Sequence, residues 1–437
     1  MSEPLHRLTL IEAIAEIKAG RLRSEDYVRA LLERIAATDA NVQAWAHLDR
    51  DHALALAREA DLRRAADIGG GALEGAAVGV KDIVATADQP TQMGSPIYSG
   101  ARPPYDAGCV VRLKREGGLV LGKTVTTEFA FLQPGKTRNP WNAAHTPGGS
   151  SSGSAAAVAL GQIPAAIGQQ TNGSMIRPAA YCGVVGFKPS KDALSYSGVN
   201  LFSPTLDTLG VFARNVADCA LLAGCLAEDK AIATAVREPN RVPRLGLLAD
   251  FPWIAIGGVQ AAAVDAALAA LRASGAIVTP VALPERCREA NLAHRCIMLR
   301  EGADQLGALQ ERERPRISGK LNAALDEGRS IDAAAYAEAL AQRARIVAML
   351  TDWMTPFDAI VTSPATGSAP ADLTQTGDPA CCTLWSLAGF PAITIPVALA
   401  PNGLPLGLQL AAPLGEDDRL LSTARWCEVR LPFEGLA

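Results

Sequence analysis

From residue 73 onward the chain alternates short apolar runs, bounded by glycine or proline, with stretches of helical periodicity. AAVGVKDIVA (76–85) leads to a helix around Cys109–Glu116 and then to GLVLGK (118–123). RLGLL (244–248), an Ala-rich helix over 258–273 and AIVTPVAL (276–283) read as a βαβ unit. The end of the chain adds AIVTSPA (359–365), a helix near 383–389, then AITIPVAL (392–399) and LGLQLAAP (406–413) joined by a PNGLP turn, with a last helix from about Glu416. Runs of this length are buried strands, and their alternation with helices predicts an α/β fold with a largely buried sheet.

Helices flank this pattern. Thr9-x-x-Glu12 is a capping box ahead of Leu10, Ile11, Ile14 and Ile17. Ser24 reads as the N-cap of a second helix, and a third is expected from Arg50 to about Ala66. Residues 190–215 read as loops and short strands, with Asn215 or a neighbour capping a helix through Cys225, and 285–354 as a partly solvated helical layer. A length of 437 residues favours two or three domains on size alone. No repeat or low-complexity linker marks a boundary, however, so the expectation is one domain over 1–437. Its parts are N-terminal helices (1–70), a core (73–215) and the helical layer (285–354).

Composition excludes several classes. A net charge of −4 without a basic block offers nucleic acid no footprint. No apolar run is long enough to span a membrane, and the N-terminus lacks a secretory pattern. The nine cysteines are scattered through apolar surroundings without metal-ligand spacing, which points to reduced, buried thiols and a cytoplasmic protein.

The chemistry concentrates between His145 and Ser190, where two glycine–serine loops flank an alanine-rich segment. Gly148-Gly149 precedes Ser150, Ser151 and Ser152, and Thr171-Asn172-Gly173 leads into Ser174. Sharp glycine turns that feed helices leave N–H groups free, a setting for a nucleophilic oxygen beside oxyanion donors. The same residues also suit plain turns around a buried helix. Lys81 sits in an otherwise apolar strand. It reads either as a lysine paired with Asp82 or as a desolvated amine able to act as a base.

Two motif matches fail on context. Gly117–Thr124 fits the P-loop pattern by letter, but a helix precedes it and its Leu-Val-Leu is itself strand-like. Gly149–Gly153 fits the G-x-S-x-G elbow with Ser151 as nucleophile, but a proline-punctuated loop precedes it. The only histidine that follows, His294, falls in a helical stretch.

Four segments carry a resemblance: GAAVGVKDI, GGSSSGSAAA, NGSMIRPAAYCGVVGFKPS and LAGFPAITIPVAL…GLPLGLQL resemble the amidase signature family, in order and across most of the chain. The resemblance implies a three-layer α/β/α fold with a central mixed sheet. It implies Lys81 as base, Ser150 as the cis-peptide relay serine and Ser174, 24 residues on, as nucleophile. The oxyanion would sit on N–H groups of Thr171, Asn172, Gly173 and Ser174, with Ser151 hydrogen-bonded to the lysine; no metal or organic cofactor is implied. The usual T-D-T-G-G-S-I-R reads here Gln170-Thr171-Asn172-Gly173-Ser174-Met175-Ile176-Arg177. The acid is thus Gln170 and the arginine moves one place to Arg177, so if the two normally pair, both charges leave together. The expected activity is hydrolysis of a small-molecule amide or carbamate through an acyl-enzyme, with an ester attacked by the same serine. The alternatives are an amidotransferase component that works only with partner proteins, and an esterase using Ser151. A homodimer is compatible with either enzyme.

Overall fold

Eleven strands form one mixed sheet in the computed structural model, which describes residues 4–436 apart from 69, 228 and 236–240. They are β1 (Trp45–His47), β2 (Ala77–Lys81), β3 (Leu119–Thr124), β4 (Ala165–Gln170), β5 (Val185–Lys188), β6 (Thr208–Ala213), β7 (Arg244–Leu247), β8 (Ile277–Pro280), β9 (Ala359–Thr362), β10 (Ala392–Leu399) and β11 (Pro405–Ala411). Their order is β1-β3-β2-β4-β6-β5-β10-β11-β9-β7-β8. β3, β2 and β4 are parallel neighbours, as are β8, β7 and β9, while the pairs joining these groups through β6, β5, β10 and β11 are antiparallel.

The period of two along each strand divides the apolar side chains between two helical layers. Val78 and Val80 face one core with Ile167, Val211, Phe187 and Ile393, covered by the helices Gly108–Arg115, Val216–Ala227, Gly258–Ala273 and Asp417–Glu428. Ala77, Leu119, Leu121, Ala166 and Phe212 face the other, under the N-terminal helices Leu10–Lys18, Ser24–Thr38 and Arg50–Ala65 and the helix Ser152–Ala159. The layer expected over 285–354 forms as Ala290–Glu313, Gly319–Ser330 and Ala333–Met354, the first and last of them packed beside the helix Thr383–Ala388. The α/β/α architecture is that of the expectation.

Three strands are not legible in the sequence. β1 and β5 are short, and β4, AAIGQQ, reads as part of the Ala-rich segment because alanine and glycine are poor strand formers. Small residues are what this central position requires. A Cβ on Gly168 would lie 2.6 Å from both Met175 Sδ and the Phe212 ring. Ser24 is not an N-cap: it is the first residue of its helix, and its hydroxyl donates to the Gly75 carbonyl at 2.8 Å. The Ser24 and Glu25 N–H groups donate instead to the Asp61 carboxylate, supplied by the next helix. The Thr9 capping box and the Asn215 cap form as expected.

Candidate active site

Because β2 and β4 run parallel, with Val80 opposite Ile167, their C-terminal ends reach the same sheet edge. Lys81 ends β2, and the turn Thr171–Ser174 leaves β4 beside it. Crevices outside the carboxyl ends of parallel strands are natural sites, because the loops that leave them converge there.

Lys81 is fully buried, and its Nζ donates to Ser150 Oγ at 2.6 Å and to the Gln169 carbonyl at 3.2 Å. No carboxylate lies within ion-pair distance of it among the described residues; Asp82 turns away and pairs with Lys123 at 3.7 Å. Burial therefore lowers the Lys81 ammonium to about 7, against the opposing pull of Asp207. Burial likewise raises Asp207 to about 6, although Thr171 Oγ1 and the N–H groups of Phe202 and Ser203 donate to its carboxylate.

Ser150 is held from both sides. The Gly149–Ser150 peptide bond is cis, Arg177 Nη2 donates to the Gly149 carbonyl at 2.7 Å, and the Thr127 N–H donates to the Ser150 carbonyl. Gly148 adopts φ 81°, and a Cβ there would lie 2.7 Å from Pro178 Cα, so only glycine fits. The expected hydrogen bond from Ser151 to Lys81 is not formed. Ser151 Oγ donates to the Gln169 carbonyl, the group that Lys81 also uses, and accepts from the Gln169 N–H. No strand leads directly into Ser151 and, among the described residues, no histidine contacts it, so the elbow geometry is not built. Ser152 opens the following helix, and Ser154 bonds to Thr124 and the Ile167 carbonyl.

Ser174 lies at the entrance of the helix Ile176–Cys182. The N–H groups of Asn172, Gly173 and Ser174 find no acceptor among the described residues. Gln170 braces the turn from behind: its Oε1 accepts from the Met175 and Ile176 N–H groups, and its Nε2 donates to Ser386 Oγ. Ser386 Oγ in turn donates to the Asn172 carbonyl. Both ends of Gln170 are thereby committed to the protein. Asn172 has its Oδ1 fixed by the Thr383 hydroxyl at 2.9 Å, leaving its amide NH2 as a donor. Arg177 is buried and donates through Nε to the Thr376 carbonyl and through Nη2 to Gly149 and Thr376 Oγ1. The expectation that its charge leaves the site together with the acid is therefore overturned: the cation stays and the acid does not.

Ser150, Thr171, Asn172, Gly173, Ser174 and Arg177 line one cavity of about 230 Å³. Its apolar lining comes from Phe131, Leu132, Phe202, Met298 and Pro379, with Phe131 and Phe202 stacked at 4.7 Å between centroids. Sequence reasoning does not find Asp207 or His294 as site residues. Asp207 lies in a loop with no motif of its own. His294 is discounted in the sequence for being helical, yet its Nε2 meets the Thr171 carbonyl at 3.0 Å. Facing a carbonyl, that nitrogen must carry the proton, and burial lowers the imidazole to about 4, so it is a neutral donor. The P-loop match is structural too: Lys123 lies within β3, buried, and donates to the Val84 and Pro90 carbonyls and to the Thr86 and Thr91 hydroxyls.

A family model described as Amidase matches residues 26–421. A glutamyl-tRNA(Gln) amidotransferase subunit from Roseiflexus castenholzii is 36% identical over 96% of this chain and 94% of its own length. The native peptide amidase of Stenotrophomonas maltophilia is 30% identical, covers 98% of each chain and superposes with a TM-score of 0.86. A structure described as an amidase is also 30% identical, over 97% of this chain and 100% of its own, with a TM-score of 0.89.

Proposed function

The chain belongs to the amidase family, and from that membership we propose that it hydrolyses the C–N bond of small amides through an acyl-enzyme on Ser174. The observation that carries the proposal is the 2.6 Å contact between the buried Lys81 Nζ and Ser150 Oγ, beside the cavity that Ser150 shares with Ser174. A serine hydroxyl is a weak nucleophile and needs an adjacent base. Neutral Lys81 takes the Ser150 proton as Ser150 takes that of Ser174, and Ser174 Oγ attacks the amide carbonyl. The free N–H groups of Asn172, Gly173 and Ser174 are the donors available to the oxyanion. The proton then returns through Ser150 to the leaving amine, and water releases the acid by the same relay. His294 and Asp207 position the Thr171 end of the turn, and Gln170 the Ser174 end. A carbamate or ester would be attacked by the same serine.

The second reading, a component that works only within an amidotransferase complex, is favoured by the Roseiflexus relative. Turnover of a simple anilide by the purified chain alone decides against it.

Intact-mass labelling with a neutral fluorophosphonate tests the nucleophile. We expect one adduct on the wild type and on Ser151→Ala, and none on Ser174→Ala. An adduct that survives Ser174→Ala and disappears in Ser151→Ala overturns the assignment in favour of Ser151.

A further inference from the structure

Of the five N–H bonds of the Arg177 guanidinium, three are used, by the Thr376 carbonyl, Thr376 Oγ1 and the Gly149 carbonyl. The two on Nη1 have no partner among the described residues, although the residue is only 2% exposed. Every acceptor it does have is neutral. No carboxylate lies within ion-pair distance of it among the described residues; Asp378, whose charge reaches it, is exposed and accepts instead from the Ala380 N–H. A buried cation without a counter-ion is among the most costly arrangements in a protein interior. A local rule broken this way in a site is a pointer to what the site binds.

The location says what is missing. Nη1 lies 3.0 Å from where a Cβ on Gly173 would stand, so it is packed against the residue before Ser174. A side chain at Gly173 would crowd it. Among the described residues, no acidic side chain lines the cavity. Its other cationic residue, Arg295, is neutralised by a two-pronged pairing with Glu327 at 2.9 and 2.6 Å. Arg177 is thus the uncompensated charge of the cavity, and Asn172, whose amide NH2 is a second donor, lines the same cavity. A planar guanidinium edge with two free N–H bonds matches a carboxylate.

Resting on the proposed amidase chemistry, we propose that the natural substrate carries a carboxylate a few bonds from the scissile amide, bound by Arg177. The small cavity and the closeness of Nη1 to the nucleophile's turn restrict this to short chains. The substrate class is therefore short amide-bearing carboxylic acids rather than neutral aliphatic or aryl amides. Asn172, where the family usually has glycine, belongs to the same anion site.

The test compares isosteric pairs in which an isopropyl group replaces the carboxylate. Succinamate and its isopropyl analogue probe the acyl side, and N-acetylglycine and its analogue the amine side. In at least one pair, wild-type kcat/KM should favour the carboxylate by about ten- to a hundredfold, the range for a hydrogen bond to a charged group. Arg177→Met should abolish that preference. Because Arg177 also holds Gly149, this variant is first checked for folding by circular dichroism. Binding of succinate to the wild type by calorimetry reads the anion site without the variant and without catalysis. Preference for the neutral partner in both pairs, or succinate binding no tighter than its neutral analogue, overturns the inference. Fluorophosphonate labelling of Ser174 is blind to substrate charge, so it keeps this outcome separate from a failure of the nucleophile assignment.

Discussion

Lys81 shows what burial does to a single group. In water its amine would be protonated at neutral pH; desolvated on the end of β2, with Ser150 rather than an acid as partner, it sits at about 7. The sign follows from the role: a base must be neutral, and protonation below its pKa removes it. The kcat/KM of the wild type should rise with pH to a limb near 7 and level off above it. Steady-state kinetics across that range check this. Lys81→Ala should retain its far-ultraviolet circular dichroism and lose about three orders of magnitude or more in kcat. Near-normal turnover in that variant removes the lysine from the mechanism. Of the candidate residues, those with an unusual setting in the sequence, Lys81 in an apolar run and serines after paired or single glycines, are readable. Asp207 and His294 are not. Their importance comes from a hydroxyl and a carbonyl of Thr171, contributed by a different part of the chain.

At the scale of elements, the two glycine–serine loops are set by what stands behind them. Gln170 closes the turn after β4 by capping two N–H groups at the start of the next helix, doing with a neutral amide what a carboxylate does at many helix entrances. Gln170→Leu should therefore destabilise the protein by about 1–3 kcal/mol, since both N–H groups lose a buried acceptor. Chemical denaturation followed by tryptophan fluorescence measures it, and an unchanged midpoint shows that the brace is dispensable. Neighbouring elements also explain the misreadings. The cap of Ser24–Thr38 comes from Asp61, a residue whose proximity no local pattern encodes. β4 is hidden because its alanines and glycine are dictated by the packing of Met175 and Phe212, not by strand propensity. β2, β3, β10 and β11 stand out because their runs are rich in branched apolar residues.

At the scale of the molecule, one sheet with helices on both faces places the ends of β2 and β4 at a common edge and surrounds them with buried apolar layers. Those layers leave Lys81 fully buried. Phe187 on β5 is fully buried in the core between the sheet and its helices. Phe187→Ala should cost about 3–5 kcal/mol. The melting temperature and the denaturant midpoint should both fall, and a loss under about 1 kcal/mol would mean that this core is looser than its packing. Among the described residues no helix is long and apolar enough to cross a membrane.

The sequence by itself determined the alternation of strands and helices, the in-order segments that place the chain in its family, and the choice of Lys81, Ser150 and Ser174 as the residues on which the proposed chemistry rests. The alternation is carried by residue type and spacing along the chain, and the choice of the three residues by the family resemblance that those segments bear. Only the tertiary structure decided which partners those groups have: that Lys81 meets Ser150 while Asp82 meets Lys123, that Gln170 faces the protein, and that Arg177 is buried at the cavity with two N–H bonds unspent. The reason is physical. A side chain's charge state and free hydrogen-bonding capacity depend on burial and on neighbours distant in sequence, as Thr376 is from Arg177 and Ser386 from Gln170.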